Sequence, residues 1–248
     1  MYQEQRLRKI LEILAKRGEL SAKKAMEELQ VSRDTVRRDF ALLAQQHRVK
    51  RTHGGILPIL EPSLIPAFKE RLEELNEEKE RMAQMALPFL KQGGYYFFDV
   101  STSLLRLAQL TDLPLTVYSH SLDNALVFSE KEQIDFHLLG GRFYVANRFY
   151  FSLKEAELLR SLHLDIAFIG AAGLRGGEVS FSDVEDVQVK ALALKRAQTK
   201  VLIAEAGKWE RQGPHVLCSL ADFDYLICDR KPDKALLDSI GRQTQVLY

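Results

Sequence analysis

Two short stretches hold residues whose types and spacing could do chemistry. The first is VSRDTVRRDF, residues 31–40. Read as a helix capped by Ser32, it places Val36, Phe40 and Leu43 on one apolar face. Arg33 and Arg37, four apart, share another face, with Thr35 and Arg38 beside them. A guanidinium can grip a guanine edge with two parallel hydrogen bonds, or neutralise a phosphate. The second stretch is Asp99-Val100-Ser101-Thr102-Ser103. Three hydroxyls ahead of a leucine-rich helix offer a cradle for phosphate at the helix start. Taken alone, each stretch also has a plain reading: a solvated charged face, and an ordinary Ser/Thr cap.

The elements around the arginines favour nucleic acid. Leu7, Ile10, Leu11 and Leu14 give a first helix an apolar stripe that stops near Gly18. Ser21 can cap a second helix, with Ala22, Ala25, Met26 and Leu29 at the same spacing. The tight connection LQVS then leads into the arginine helix, which makes a helix-turn-helix. HRVKRTHGG follows as a short basic hairpin closed by Gly54 and Gly55, the wing of a winged helix. Arg33, Thr35 and Arg37 are the candidates for base edges. Arg38, Lys50 and Arg51 are the candidates for the DNA backbone. The competing possibility is a three-helix module that binds protein.

Charge is divided along the chain in the same sense. Of 248 residues, the first 55 hold 13 Lys and Arg against 7 Asp and Glu, a net of +6. The remainder holds 22 against 27, a net of −5. A basic head that meets a polyanion and an acidic body that does not would produce this asymmetry. Cys218 and Cys228 show neither a disulfide framework nor a metal-ligand spacing, so no metal or cofactor is expected. No signal-peptide pattern opens the chain and no apolar run approaches the roughly 20 residues of a membrane span. The expectation is a cytoplasmic protein.

Residues 56–75 carry Pro58, Pro62 and Pro66, which bar helix continuation and give a stiff, extended connector. Asn76 can cap the next helix, whose buried side holds Met82, Ala86 and Phe89. Beyond Gly93 the apolar runs YYFFDV, LTVYSHS, FHLLGG, DIAFIGAAG, KVLIAEAG and YLICD alternate with helical patterns. That alternation predicts βα units and a mostly parallel sheet covered on both faces. Ligands in such sheets collect at the carboxyl ends of strands. Those exits carry Asp99 with Ser101, Thr102 and Ser103, then His120, then Gly140 and Gly141. His120 is as readily a structural histidine as a ligand donor.

The motifs G-x-L-S (18–21), V-S-x-x-T-V-R-R-D (31–39) and R-x-H-G-G (51–55) resemble the amino-terminal signature of the DeoR family of bacterial sugar-operon repressors. P-x-F-x-E-R (66–71) followed by N-x-x-K (76–79) is similar to that family's connector. The resemblance implies that the helix from Ser32 through Val36 to Phe40 reads an operator, with His53, Gly54 and Gly55 in the wing. It also implies that Gly170, Ala171 and Gly173, with Asp183, Glu185 and Lys190 further on, belong to an effector site. Bodies of this kind resemble ribose-5-phosphate isomerase, which places acids after the Gly-Ala where this chain has Ala172, Gly173, Leu174 and Arg175. A regulator is therefore expected over an isomerase, with a phosphorylated sugar as effector, double-stranded operator DNA as target, and at least a homodimer. The expected organisation is α/β: a winged helix-turn-helix over 1–57, a linker over 58–75, and a mostly parallel-sheet sensing and oligomerisation domain over 76–248.

Overall fold

The structure, a computed structural model, describes residues 3–17, 19–45, 49–52, 54–58 and 77–248. The chain divides into two compact units, Met1–Glu61 and Pro62–Tyr248. His53 and the connector residues from 59 to 76, with Pro62, Pro66, Arg71 and Asn76, lie outside the described residues.

The amino-terminal unit is built as α1 (Gln3–Arg17), β1 (Leu20–Ser21), α2 (Ala22–Leu29), α3 (Arg33–Gln45), β2 (Val49–Arg51) and β3 (Gly55–Pro58). Ser21 caps α2 by accepting from the Lys24 amide at 3.2 Å. Ser32 caps α3 in the same way, accepting from the Thr35 amide at 3.3 Å. Between the two helices Gln30 turns the chain in the left-handed region, φ 51°. Leu7, Ile10 and Leu14 of α1, Ala25 and Leu29 of α2, and Phe40 and Leu43 of α3 form one core. Arg6 of α1 donates twice to Asp39 of α3, at 2.8 and 3.2 Å, and Asp39 is almost wholly buried. The three strands form an antiparallel sheet in the order β1-β3-β2.

Three expectations for this unit change. Val36 is fully buried against the core, so its side chain is a packing residue and not a DNA contact. Gly55 is buried in β3 opposite Ser21, and a Cβ there would stand 2.3 Å from the Leu20 carbonyl oxygen. Its role is close strand approach, not contact with DNA. Pro58 belongs to β3, paired with Val49, so the wing runs one residue into the stretch read as linker.

The larger unit is a seven-stranded sheet in the order β14-β13-β11-β9-β4-β5-β6, with every neighbouring pair parallel. Its strands are β4 (Tyr95–Phe98), β5 (Leu115–Ser119), β6 (Ile134–Leu138), β9 (Leu164–Gly170), β11 (Ala197–Ala204), β13 (Tyr225–Cys228) and β14 (Gln245–Leu247). A hairpin of β7 (Arg142–Tyr144) and β8 (Phe149–Phe151) stands apart from it, as does an antiparallel pair of β10 (Glu178–Phe181) and β12 (His215–Ser219). Among the described residues of the unit the α-helices are α4 (Glu77–Ala86), α5 (Thr102–Leu110), α6 (Leu122–Phe128), α7 (Leu153–Glu157), α8 (Val184–Arg196) and α9 (Lys234–Ser239).

Alternation along β4 shows why both faces need cover. Tyr96 and Phe98 enter the core that holds Met82 of α4 and Leu104 of α5, while Phe97 enters the one that holds Val189 of α8. From β4 the chain steps outward to β5 and β6, and from β9 it steps the other way to β11, β13 and β14. The strand order therefore reverses between β4 and β9, and the crevice beyond their carboxyl ends is where a doubly wound sheet accepts ligands.

Candidate functional site: a helix face and a switch-point cluster

The outer face of α3 is an organised set of charges. Arg33, Asp34, Arg37 and Arg38 are exposed and Thr35 half-buried. Among the described residues, none of the three arginines is paired with a carboxylate. At about 100° per residue, Asp34 and Arg38 stand roughly opposite the core residues Val36, Phe40 and Leu43. Arg37 and Thr35 flank that line, and Arg33 lies further round toward the core side. Arg51 and Gly54 are exposed on the wing, and Lys50 lies in β2.

At the switch point the structure gathers four ionisable side chains. Asp99 follows β4, His120 follows β5, and Asp186 and Lys190 lie one turn apart on α8. The Lys190 ammonium sits 3.1 Å from Asp99 Oδ1 and 2.5 Å from Asp186 Oδ2, and 3.5 Å above the centre of the Phe181 ring. His120 Nε2 lies 2.7 Å from Asp186 Oδ1, with its ring stacked on Phe97 and edge-on to Phe149. The other ring nitrogen, Nδ1, is buried and has no hydrogen-bond partner among the described residues. A proton on Nε2 is therefore the arrangement that leaves no buried donor unpaired.

Backbone groups complete the cluster. The Gly170 amide donates to Asp99 Oδ2 at 2.9 Å, which ties β9 to β4 across the crevice. A Cβ on residue 170 would lie 2.3 Å from Ser101, so glycine is required by that approach. Asn124 of α6 donates to the Asp99 carbonyl and to Ser119 Oγ. Burial pushes the Asp99 carboxyl above its ordinary range, against the pull of Lys190. Burial works on Asp186 in the same direction, but Lys190 and the His120 hydrogen bond outweigh it and hold that carboxyl to about 2. Asp186 is thus the fixed anion, and Asp99 the strained one. Asp99, His120 and Asp186 offer ligand atoms within 4.8 Å of one another, the spacing of a metal site. The Lys190 ammonium already takes the place a cation would fill between the two carboxylates.

Access to this cluster is closed. Asp99, His120 and Lys190 are essentially inaccessible, and Ser101, Thr102 and Ser103 nearly so. A cleft of about 20 Å³ remains, lined by Val100, Asn147, Gly170, Phe181, Asp186 and Lys190. That holds roughly one water. A larger concavity of about 540 Å³ lies at the opposite end of the sheet, around Gly93, Asp165 and Gln198. The β7–β8 hairpin lies over the exit of β5: the Tyr150 amide donates to the His120 carbonyl, and Arg148 chelates Asp123 of α6.

The structure sorts the sequence-derived effector residues. Asp99, Ser101, Thr102, Ser103, His120, Gly170 and Lys190 converge at the β4 and β9 exits. Ala171 lies beside them, its amide spent on the Ile203 carbonyl. Lys190 does not stand free for a phosphate, because two carboxylates already neutralise it. Gly140 has open space around it and makes no close approach. Gly141 (φ +123°) packs against the Phe151 carbonyl, and Gly173 bridges Ser180 beside the Arg211 carbonyl, so both serve the fold. Asp183 accepts from Asn147 and does not reach the Lys190 pair, while Glu185 is half-buried on the first turn of α8. Sequence reasoning misses Asp186 and Asn147. The four-residue step from Asp186 to Lys190 is the readable signal for the first. Nothing local marks Asn147.

Comparison with known proteins agrees with both halves. Residues 6–59 match the DeoR-like helix-turn-helix domain, and residues 74–230 match the DeoR C terminal sensor domain. The HTH-type transcriptional repressor GlcR of Bacillus subtilis is 34% identical across 98% of this chain and 94% of its own length. The lactose phosphotransferase system repressor of Lactococcus lactis is 29% identical over 100% and 99%, and the deoxyribose operon repressor of Escherichia coli 29% over 93% and 92%. Among solved structures, ribose 5-phosphate isomerase A of Methanocaldococcus jannaschii overlaps 54% of each chain at 15% identity and TM-score 0.39, too loose a likeness to carry an argument. No described helix is long and apolar enough to cross a membrane. A helix-turn-helix with an exposed cationic face, joined in one chain to a parallel sheet with a built switch point, places this protein in the DeoR family of transcriptional regulators.

Proposed function

We propose that the protein represses a carbohydrate-use operon in the cytoplasm, and that a phosphorylated sugar bound at the switch point releases it from the operator. In this reading α3 enters the major groove with Arg37 and Thr35 toward the base edges. Arg38, a backbone candidate from the sequence, joins them because it stands on the central line of the outer face. Arg33, a base candidate, leaves the set because it lies further round toward the core. Ser32 and Arg33 lie near its entering end, and Lys50, Arg51, His53 and Gly54 follow the backbone. Two half-sites are read by a homodimer held together by the sensor unit. The relatives named for lactose and deoxyribose systems support a sugar as the signal.

The observation that carries the effector reading is the charge state of the cluster. Lys190 is fully engaged, so a phosphate is held by the hydroxyls of Ser101, Thr102 and Ser103 and the first-turn N–H groups of α5. Of these, the Ser103 amide must first leave the Ser101 hydroxyl to which it donates at 3.2 Å. The sugar hydroxyls then meet Asp99, Asp186 and His120, groups suited to neutral polar partners. The closed cleft supplies the switch. A ligand this large requires the β7–β8 hairpin to lift, so it binds one arrangement better than the other, and only such a difference moves operator affinity. Chemistry on the sugar is not expected. The residues after β9, where an isomerase of this kind places its acids, are Ala171, Ala172, Gly173, Leu174 and Arg175, none of them acidic.

The test pairs a melting-temperature panel of pentose and hexose phosphates with gel shifts on the duplex upstream of the protein's own gene. One sugar phosphate should raise the melting point and weaken the shift at the same concentration. Stabilisation by the unphosphorylated sugar alone, or turnover of the bound sugar, would overturn the reading.

A further inference from the structure

We infer that Asp34 is a specificity-determining residue that reads a cytosine in each half-site. The inference rests on the docking of α3 in the major groove proposed above. Asp34 lies on the first turn of α3, the part of a recognition helix that reaches base edges. It is exposed, it stands on the central line of the outer face, and it makes no ion pair or hydrogen bond among the described residues. Arg38, one turn further along the same line, is not paired with it. A free carboxylate amid phosphates is repelled, so its presence there lowers affinity for DNA in general. A donor on the base edges compensates for it.

The major groove offers a carboxylate two such donors, the amino groups of cytosine and adenine. Adenine N6 stands beside the N7 lone pair, which repels an anion. Cytosine N4 has only a C5–H for a neighbour, so cytosine is the match. Asp34 and Arg38 are about 6 Å apart along the helix axis, roughly two base-pair steps. A guanine for Arg38 about two base pairs from a cytosine for Asp34 satisfies both residues at once, since guanine presents two acceptors where cytosine presents a donor.

The experiment selects full-length wild-type protein and the D34N and D34A variants against randomised duplexes, and measures each on the wild-type site and on a site changed at that base pair. Wild type should prefer cytosine there by about 5- to 100-fold, the usual span for one base pair. D34A should lose that preference while its affinity for unrelated duplex rises, because a negative charge has gone. D34N should shift the preference toward adenine, the base an amide pairs with on two atoms. The plain alternative is that Asp34 only supports the positive end of the helix. A lower melting temperature with unchanged base preference would establish that alternative and overturn the inference. R37A and R38A are run alongside. If they too bind the operator as wild type does, the docking of α3 itself fails, and the reading of Asp34 with it.

Discussion

Replacing Lys190 with methionine tests whether the switch point is a counter-ion cluster. Methionine keeps most of the volume above the Phe181 ring but removes the charge that lies 3.1 Å from Asp99 and 2.5 Å from Asp186. Two buried carboxylates then face one another with no cation between them. Removing one partner of a buried pair costs about 3–5 kcal/mol, most of it the stranded charge. For a unit of this size that is a fall of roughly 6–20 °C in melting temperature at pH 7.5.

The pH dependence follows from the signs. In the wild type Asp186 is held to about 2, so the stability it contributes persists through pH 5 and is lost only as pH falls toward that value. Asp99 is already raised in the wild type, and without the pull of Lys190 burial should raise it further in K190M, and Asp186 as well. A raised carboxyl gives stability that is lost as pH climbs. The gap between the proteins should therefore narrow on going from pH 7.5 to 5. The double variant D186N/K190M should recover about half the loss, because the amide introduced at position 186 can donate toward Asp99 in place of the ammonium. Urea or thermal unfolding of the three proteins at several pH values measures this. A single variant within about 1 kcal/mol of wild type at pH 7.5, or a gap that ignores pH, would refute the reasoning.

Two further outcomes concern the amino-terminal unit. Replacing Asp39 with alanine removes two charge-assisted hydrogen bonds between α1 and α3, a loss of about 2–3 kcal/mol that unfolding followed by helix signal will show. Gly55→Ala drives a Cβ to 2.3 Å from the Leu20 carbonyl, so the wing should detach and operator binding fall in a gel shift.

Much of this protein could be read from neighbours along the chain. Val36, Phe40 and Leu43 at helical spacing, the serines that cap α2 and α3, and the split of charge at the wing depend on residues a few positions apart. Helical period and capping act at that range, and the family motifs lie in the same local stretches. The six apolar runs likewise announced a parallel sheet, since strands buried on both faces need continuous apolar residues. Short β14 and the β7–β8 hairpin escaped, because three-residue strands are too short to show an alternation.

What pairing distant residues does to their chemistry was settled only by the tertiary fold. Asp99 and Gly170 are 71 residues apart, and His120 and Asp186 are 66 apart, yet each pair shares a hydrogen bond. Asp186 lies one turn from Lys190 on the same helix, but only strand order places Asp99 against that lysine. Val36 and Gly55 read as DNA contacts until packing turned one inward and pressed the other against β1. A charge, a desolvation cost and a steric limit depend on distances in space, and those distances follow from which strands become neighbours, a choice made by the whole core.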